Sequence, residues 1–315
     1  MSVTVEASKT SELAVPSARG VKKKERELPY RKRGSFNLEK PTLGVLVLKY
    51  VALIGVLLLC VGPFVWQLST SFKGKTEDLY TFPPTLIPQH PTLDAYGEVM
   101  RTIPVFNYAW HSLLVGVATV VSNCVFALLA GYVISCMSFK GKALVLGLIL
   151  STMLLPGEVT LTSQYLTIKS LGFSNSLIGV FLPGAIGALN VLLMATACRT
   201  IPKEILDAAV IDGTNTWQRL WHIVWPNVKG MVSVVALMSF IGAWDDFLWP
   251  LVVLSDPAKY TLTVGMQYLA SNQTLGTDPR VVAAGTVIAL LPIIALFAFT
   301  QRFFFAGVET GAVKG

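Results

Sequence analysis

The amino-acid sequence predicts an all-α integral membrane protein with six transmembrane helices. Hydrophobic residues make up 53% of the 315 residues and charged residues only 14%, and the mean hydropathy is +0.61. A bilayer core of roughly 30 Å needs about 20 apolar residues per helix, and several apolar runs in the chain reach that length. This composition excludes a soluble globular protein.

The six predicted spans follow from these apolar runs. They cover about residues 45–68, 111–137, 143–161, 177–198, 230–254 and 281–304. Pro156 and Gly157 are expected to kink the third span, and a short surface helix is expected to begin near Thr92. Loops 69–110, 162–176 and 255–280 are placed on the outer side.

Residues 1–42 are polar and carry ten of the 25 lysines and arginines, which explains most of the net charge of +7. This segment lacks helical periodicity, so we predict a basic, mostly disordered cytoplasmic tail that lies against lipid. No DNA-binding motif accompanies it, and nucleic acid is not expected as a partner. The first apolar run starts after residue 40 and is too long for a cleaved signal peptide.

The charge distribution also predicts the topology. With the tail inside, 18 basic residues lie on the inner side and six on the outer side. Without the tail the difference is only eight against six, so the tail decides the orientation. Both termini are therefore predicted to be cytoplasmic, as is the polar segment 199–229.

Residues 199–229 stand out as a polar segment between two strongly apolar runs. Pro202 suits the first turn of a helix. The spacing places four side chains on one face of that helix: Ile205, Ala208, Ala209 and Asp212. Gly213 is expected to end the helix with a positive φ. The segment therefore predicts two short helices joined at Gly213, which we call the elbow.

The second helix of the elbow is expected to begin at a capping side chain, which Thr214, Asn215 or Thr216 could provide. Its apolar stripe consists of Trp217, Leu220, Trp221 and Val224. Pro226 is expected to mark the end of this helix or a bend into the next span. An interfacial amphipathic elbow without a protein partner is the alternative interpretation.

The spacing of Asp207-Ala208-Ala209, Gly213 and Pro226 resembles the EAA loop of ABC-importer permeases. Asp207 replaces the usual Glu and Trp225 the usual Leu, and both substitutions keep the chemical type. In that family the loop is a coupling helix that sits in a cleft of the ATP-hydrolysing subunit. The resemblance implies that Asp207, Ala208, Ala209 and Gly213 transmit motion, with charged contacts from Glu204, Asp212 and Arg219.

Further segments resemble the second permease of maltose-type carbohydrate importers. They are Ser71-Phe72-Lys73, Phe82-Pro83-Pro84, Thr92–Tyr96, Ala130-Gly131-Tyr132, Leu182-Pro183, Ile201–Glu204 and the terminal Gly311-Ala312-Val313-Lys314-Gly315. The resemblance implies a type I ABC importer permease fold over residues 43–315. It also implies a cytoplasmic tail, residues 305–315, whose last five residues contact the ATPase; a disordered end is the alternative.

Trp244-Asp245-Asp246-Phe247 resembles the Trp-Asn-Asp-Phe segment of the same group, with Asp245 in place of Asn. A carboxylate deep in a span is costly and usually faces a cavity. Alternatively, the carboxylates of Asp245 and Asp246 are hydrated near the outer interface. Together with Asn190, the residues Trp244, Asp245 and Asp246 are candidates for the substrate pathway.

The resemblance implies a permease subunit of an ATP-driven, binding-protein-dependent importer of a di- or oligosaccharide, in a bacterial or archaeal cell membrane. The implied partners are a second permease, an ABC ATPase dimer and an external solute-binding protein. A glycerol-3-phosphate or polyol importer, and a stand-alone secondary transporter, are the alternatives.

The chain itself is not expected to be an enzyme. Gly74-Lys75-Thr76 lacks the rest of a phosphate-binding loop, so ATP and Mg are assigned to the partner ATPase and no cofactor to this chain. The four cysteines have no metal-ligand spacing, so no metal site is predicted.

Overall fold

The computed structural model of the chain describes residues 43–82, 85–271 and 278–312, with the backbone alone for 301–312. The predicted tail 1–42, Pro83-Pro84 and the terminal Val313, Lys314 and Gly315 lie outside the described residues. The chain divides into two units, residues 1–56 and 57–315. The described part of the first unit, residues 43–56, is helical and exposes its apolar side chains, as a lipid-facing helix does.

The described residues form helices joined by loops, and the predicted all-α membrane fold is confirmed. Thirteen α-helices are described: α1 (Leu43–Phe72), α2 (Asp94–Thr102), α3 (Val105–Cys136), α4 (Lys142–Thr152), α5 (Gly157–Ser170), α6 (Leu177–Phe181), α7 (Ala188–Arg199), α8 (Lys203–Ile211), α9 (Thr216–Arg219), α10 (Trp225–Asp245), α11 (Leu248–Val253), α12 (Leu262–Ser271) and α13 (Pro279–Ala312). Four long apolar helices and two bent helix pairs give up to six spans by length and composition.

The third predicted span is a broken pair instead of a kinked helix, and this corrects the prediction. Helix α4 ends at Thr152, α5 begins at Gly157, and their axes differ by 101°. Pro156 lacks an N–H and disfavours helical geometry in the preceding residue, so the chain turns there. Helix α5 then occupies most of the segment that was predicted as the loop 162–176.

The fourth span is also broken, though less sharply. A 3₁₀ turn, Leu182–Gly184, separates α6 from α7, and the two halves are bent by 44°. Gly187 is extended at the start of α7, with φ −91° and ψ 124°. The break lies beside the middle part of α3, where Asn123 donates a hydrogen bond to the Gly184 carbonyl.

The fifth span begins earlier and ends earlier than predicted. Helix α9, a π turn at Leu220–Val224 and helix α10 form one continuous helix, Thr216–Asp245. Pro226 therefore lies inside this helix and does not end it, so the first of the two predicted alternatives is wrong. The wide π turn lies where the Pro226 ring would otherwise meet the carbonyl of residue 222. The short helix α11 follows separately.

The sixth helix, α13, is longer than the predicted span 281–304. Its backbone is helical to Ala312, so the helix includes Gly311 and Ala312 and most of the segment 305–315 that is predicted as a cytoplasmic tail. Pro292 lies inside α13.

The core is built around α3, which packs against α7 and α10. The main cluster joins these helices to the elbow through Leu128, Met194, Leu220, Val224 and Val235. Gly131 of α3 permits a close approach to α7, because a Cβ there would lie 2.9 Å from the Ala195 nitrogen. The elbow is therefore fixed to the transmembrane core by the same cluster that holds α3 against α7.

Candidate functional site

The first half of the elbow ends in a Schellman motif. Gly213 has φ +76° and donates its N–H to the Val210 carbonyl at 3.0 Å. The N–H of Thr214 reaches back to the Ala209 carbonyl at 3.1 Å. The predicted helix end at Gly213 is thereby confirmed, and a side chain at this position would be strained.

The second half of the elbow begins with a capping box. Asn215, one of three predicted candidates, accepts a hydrogen bond from the Gln218 N–H at 2.8 Å. The Gln218 side chain accepts one from the Asn215 N–H, also at 2.8 Å. These two bonds fix where the continuous helix Thr216–Asp245 starts, one residue after the cap.

The predicted faces of the two elbow helices are each divided between core and surface. Ala209 is buried, whereas Ile205, Ala208 and Asp212 are exposed. In the second helix, Leu220 and Val224 are buried in the main core cluster. Trp217 and Trp221 of the predicted stripe are 61% and 51% exposed, so they form a separate outward face.

The acidic side chains of the elbow have no partner within the described residues. Glu204, Asp207 and Asp212 are exposed and form neither an ion pair nor a side-chain hydrogen bond there. Arg219 differs, because it is half-buried, donates a hydrogen bond to Thr216 Oγ1 at 3.3 Å and lies beside the Tyr132 hydroxyl. Arg219 therefore joins the elbow to α3.

Asn190, a predicted pathway residue, belongs to a polar network between three helices. Its Nδ2 donates to Asn123 Oδ1 at 2.8 Å and to Ser239 Oγ at 3.1 Å. Asn123 lies on α3, Asn190 on α7 and Ser239 on α10. The network therefore ties the elbow's continuous helix to the broken fourth span.

Sequence reasoning missed Asn123, which is the centre of this network. Its Nδ2 donates to the carbonyls of Thr119 and Gly184, and its Oδ1 accepts from the Gly187 N–H and from Asn190. All four hydrogen bonds that its amide can make are formed. The signal was available in the sequence, since Asn123 is a polar side chain well inside an apolar span.

The other predicted pathway residues lie elsewhere. Trp244 is buried against α13, where its Nε1 donates to the Ala289 carbonyl at 3.2 Å. Asp246 accepts a hydrogen bond from the Trp249 N–H at the start of α11, and Asp245 is exposed. Among the described residues, no hydrogen bond joins these three to Asn190.

The position of Asp245 along the helices can be read from contacts between α10 and α3. Two contacts fix how α3 and α10 are aligned. The Phe240 ring of α10 packs against Gly116 of α3, and Cys124 of α3 contacts the Val232 carbonyl of α10. Since the helices run in opposite directions, Asp245 lies level with about residue 111 of α3. That is about 9 Å from the Val105 end, at about 1.5 Å per residue, whereas Asn123 lies near the helix midpoint.

The chain belongs to the family of binding-protein-dependent transport system inner membrane components, whose model matches residues 93–310. Membership makes this chain a membrane component of an ABC importer and a transport subunit, not an enzyme. It also contradicts the alternative of a stand-alone transporter. Within the described residues there is no cluster of three or more His, Cys, Asp or Glu side chains suited to a metal ion.

Two relatives are matched along almost their whole length. The chain is 29% identical to the arabinooligosaccharides transport system permease protein AraQ of Halalkalibacterium halodurans, covering 85% of this chain and 98% of the relative. It is also 29% identical to the galactooligosaccharides transport system permease protein GanQ of Bacillus subtilis, covering 86% and 96%.

The fold is shared with a solved structure of a bacterial ABC transporter involved in the import of the acidic polysaccharide alginate. The TM-score is 0.73 at 22% identity, and the match covers 83% of this chain and 97% of the other. This similarity confirms the predicted ABC importer permease fold.

Proposed function

We propose that the chain is the permease subunit of a sugar importer and that its elbow docks on an ATP-hydrolysing partner. In this arrangement a second permease completes the pathway and an external binding protein delivers the sugar. Both termini and the elbow face the cytoplasm, as the basic residues of the N-terminal segment favour. ATP and Mg bind to the partner, and this chain holds neither.

The observation that carries the proposal is the continuity of the helix Thr216–Asp245. Its first turns belong to the elbow, and Leu220, Val224 and Val228 anchor it in the core. A displacement of α8 by a partner would act at the Gly213 turn on this one helix. Because the helix is continuous, the displacement would reach Ser239 within the membrane.

From Ser239 the polar network leads to the break in the fourth span. Asn190 connects Ser239 to Asn123, which holds the Gly184 carbonyl and the Gly187 N–H. We assign to this network the role of transmitting elbow motion to the break. Rearrangement at 182–187 would then change access to a pathway between the two permeases.

The sugar substrate is supported by the names of relatives, which are transport permeases for arabino- and galacto-oligosaccharides. The polar side chains that form the network beside the break are amides and hydroxyls, the groups that hydrogen-bond sugar hydroxyls. Lysine and arginine are absent from the described part of α3 and from residues 230–245 of α10. A phosphorylated substrate such as glycerol-3-phosphate is therefore less favoured, and a polyol remains the second candidate.

Asp245 fits a position near the outer interface. Its level beside residue 111 of α3 and its exposure favour a carboxylate in contact with water. The insertion cost of a carboxylate, about 2.5–3.5 kcal/mol at the centre of a span, is smaller there. We therefore keep Asn190 as the pathway candidate and assign Trp244 and Asp246 to packing and helix capping.

The experiment that tests this function is purification of the tagged chain in mild detergent, followed by mass spectrometry and an ATPase assay. We expect a second permease and an ABC ATPase to copurify, with ATP hydrolysis stimulated by a binding protein loaded with an oligosaccharide. A complex that contains the ATPase but responds only to glycerol-3-phosphate or a polyol would replace the sugar assignment. A complex without an ATPase would contradict the coupling role.

A further inference from the structure

A cavity of about 480 Å³ lies between the α3–α4 turn and the start of the elbow. Its walls come from the end of α3, the start of α4, the end of α7 and the start of α8. Three cationic side chains line it, Lys142, Arg199 and Lys203, together with one carboxylate, Asp207. The net charge of the lining is therefore positive.

The cations have no partner in the described part of the chain. Neither of the two ion pairs found there involves Lys142, Arg199 or Lys203, and none of their side chains forms a hydrogen bond. Asp207 shares the cavity but lies beyond ion-pair distance of all three. Three unpaired cations around one cavity repel each other, and an anion between them would relieve that repulsion.

Backbone groups add to the positive potential. Lys142 and Lys203 are the first residues of α4 and α8, helices of 11 and nine residues, and neither helix has a side-chain cap. The first N–H groups of a helix lack partners within the helix and attract anions. Two such helix ends at one basic cavity favour a ligand with several acceptor oxygens.

The rest of the wall is mostly apolar: it includes Met137, Phe139, Ile201 and Leu206, together with the hydroxyls of Ser135 and Ser138. An anionic phospholipid presents both a phosphate and apolar chains, and it is matched by this combination.

We infer that this cavity binds the phosphate group of an anionic phospholipid, held by Lys142 from α4 and by Arg199 and Lys203 from the start of the elbow. The bound phosphate links the α3–α4 turn to α8 and so restrains the elbow. Its placement in the cytoplasmic leaflet rests on the orientation proposed above, whereas the binding itself does not depend on any transport function. A free phosphate offers the same chemistry, and the experiment separates the two sources.

A cysteine in the cavity wall can be used to measure whether the cavity is occupied. Cys136 lines it and is half-buried, whereas the neighbouring Cys198 is 1% exposed. Alkylation of Cys136 by uncharged N-ethylmaleimide, followed by peptide mass spectrometry, therefore reports whether the cavity is occupied. The protein is tested as the complex with which the full chain purifies, in phosphatidylcholine nanodiscs with or without phosphatidylglycerol.

We expect phosphatidylglycerol to slow Cys136 alkylation about threefold, which corresponds to an occupancy of about two thirds. The double variant Lys142→Gln, Lys203→Gln should lose this protection. The control Lys140→Gln, Lys229→Gln removes two lysines near the same end of the protein but outside the cavity, and it should keep the protection. Each variant is compared with itself with and without the lipid, so altered intrinsic reactivity cancels.

The source of the phosphate is tested by adding inorganic phosphate to nanodiscs of phosphatidylcholine alone. Protection by phosphatidylglycerol only assigns the site to lipid, and equal protection by inorganic phosphate would overturn the lipid source. No protection by either probe, or equal loss of protection in both double variants, would overturn the site. If the glutamine variant does not assemble, Lys142→Arg, Lys203→Arg must still be protected, and its failure would also contradict the inference.

Discussion

Charged side chains at the two ends of the protein have different surroundings. At the loop end, formed by residues 73–104 with Asp278 and Arg280, most of the charged side chains have partners within the chain. Lys73 is only 2% exposed, donates a hydrogen bond to Thr85 and lies 5.2 Å from the centre of the Trp66 ring. Arg280 pairs with Asp278 at 3.0 Å and also donates to the Glu77 carbonyl.

At the elbow end, charges are left without partners in the described residues. Glu204, Asp207 and Asp212 on one side, and Lys142, Arg199 and Lys203 on the other, form no ion pair there. Since both signs are present within a short distance along the chain, lack of an opposite charge is not the reason. The comparison indicates that the loop end uses most of its charges for folding, while these six charges of the elbow end are available to molecules outside the chain.

The largest expected effect comes from Gly213→Pro. Proline fixes φ near −65°, so it cannot adopt the +76° of Gly213, and it removes the N–H bonded to the Val210 carbonyl. A distortion of about 3 kcal/mol corresponds to roughly a hundredfold loss of sugar-stimulated ATP hydrolysis per assembled complex. Membrane insertion should be preserved.

Gly172→Pro provides the matched control. Gly172 has φ +79° and ends α5 with the same Schellman bonds, from Gly172 to Lys169 and from Phe173 to Ile168. It lies outside the elbow, so coupling per assembled complex should stay within about threefold of the wild type. Normal uptake by the Gly213→Pro variant would count against a coupling role.

The next effect is on stability and concerns Asn123→Ala. The change removes one hydrogen-bond partner from each of four groups: the Thr119 and Gly184 carbonyls, the Gly187 N–H and the Asn190 amide. The free energy of unfolding should fall by about 3 kcal/mol, the upper range for groups left unsatisfied. Thermal unfolding of the purified complex measures this loss.

Ser122→Ala is the control for that measurement, because Ser122 makes only one local hydrogen bond, to the Thr119 carbonyl. Its loss should cost about 1 kcal/mol or less. Equal destabilisation by the two substitutions would mean that the network has no special role in holding the broken span.

A smaller effect is expected for Asp207→Lys, and the quantity measured is the affinity of the chain for the ATPase subunit. Reversal of an exposed, unpaired charge at a docking surface should weaken binding about tenfold, or about 1.4 kcal/mol. Asp94→Lys makes the same reversal at the loop end, where Asp94 is also exposed. Binding curves with purified ATPase should move for the first variant and stay unchanged for the second.

The smallest effect is expected for Glu98→Gln. This change breaks the ion pair with Lys75 at 3.4 Å, whose side chains are 47% and 68% exposed. Exposed pairs contribute little, so the free energy of unfolding should change by less than about 1 kcal/mol. A larger loss in thermal unfolding would show that the loop end depends on its exposed charges as well as its buried ones.

The sequence was sufficient for the all-helical membrane fold, the Gly213 turn and the family, because apolar run length and glycine geometry are local properties. It was not sufficient for the behaviour of two prolines. Pro156 breaks a helix whose first half, α4, has no buried residue to hold it in line. Pro226 lies in a helix held in the core by Leu220, Val224 and Val228 on both sides of the proline. Tertiary packing, which local sequence does not show, decided between a break and a continuous helix.

The candidate site was predicted only in part for the same reason. The residue types of the elbow were identified, but its pattern did not show that Ala209 faces inward and Ala208 outward. The pathway residues were grouped by their place in a motif. Their hydrogen bonds show that they lie in different places, since Trp244 bonds to α13 and Asn190 to α3 and α10.

The central claim is that the elbow end contacts a partner protein that the loop end does not contact. Photo-crosslinking tests this claim most directly. A benzophenone amino acid is placed at Val210 in the elbow or at Leu93 at the loop end, both of which have exposed side chains. After irradiation of intact cells, mass spectrometry identifies the partner. The account predicts that Val210 crosslinks to an ABC ATPase and Leu93 does not. Crosslinking of Leu93 to the ATPase, or of Val210 to lipid alone, would contradict it.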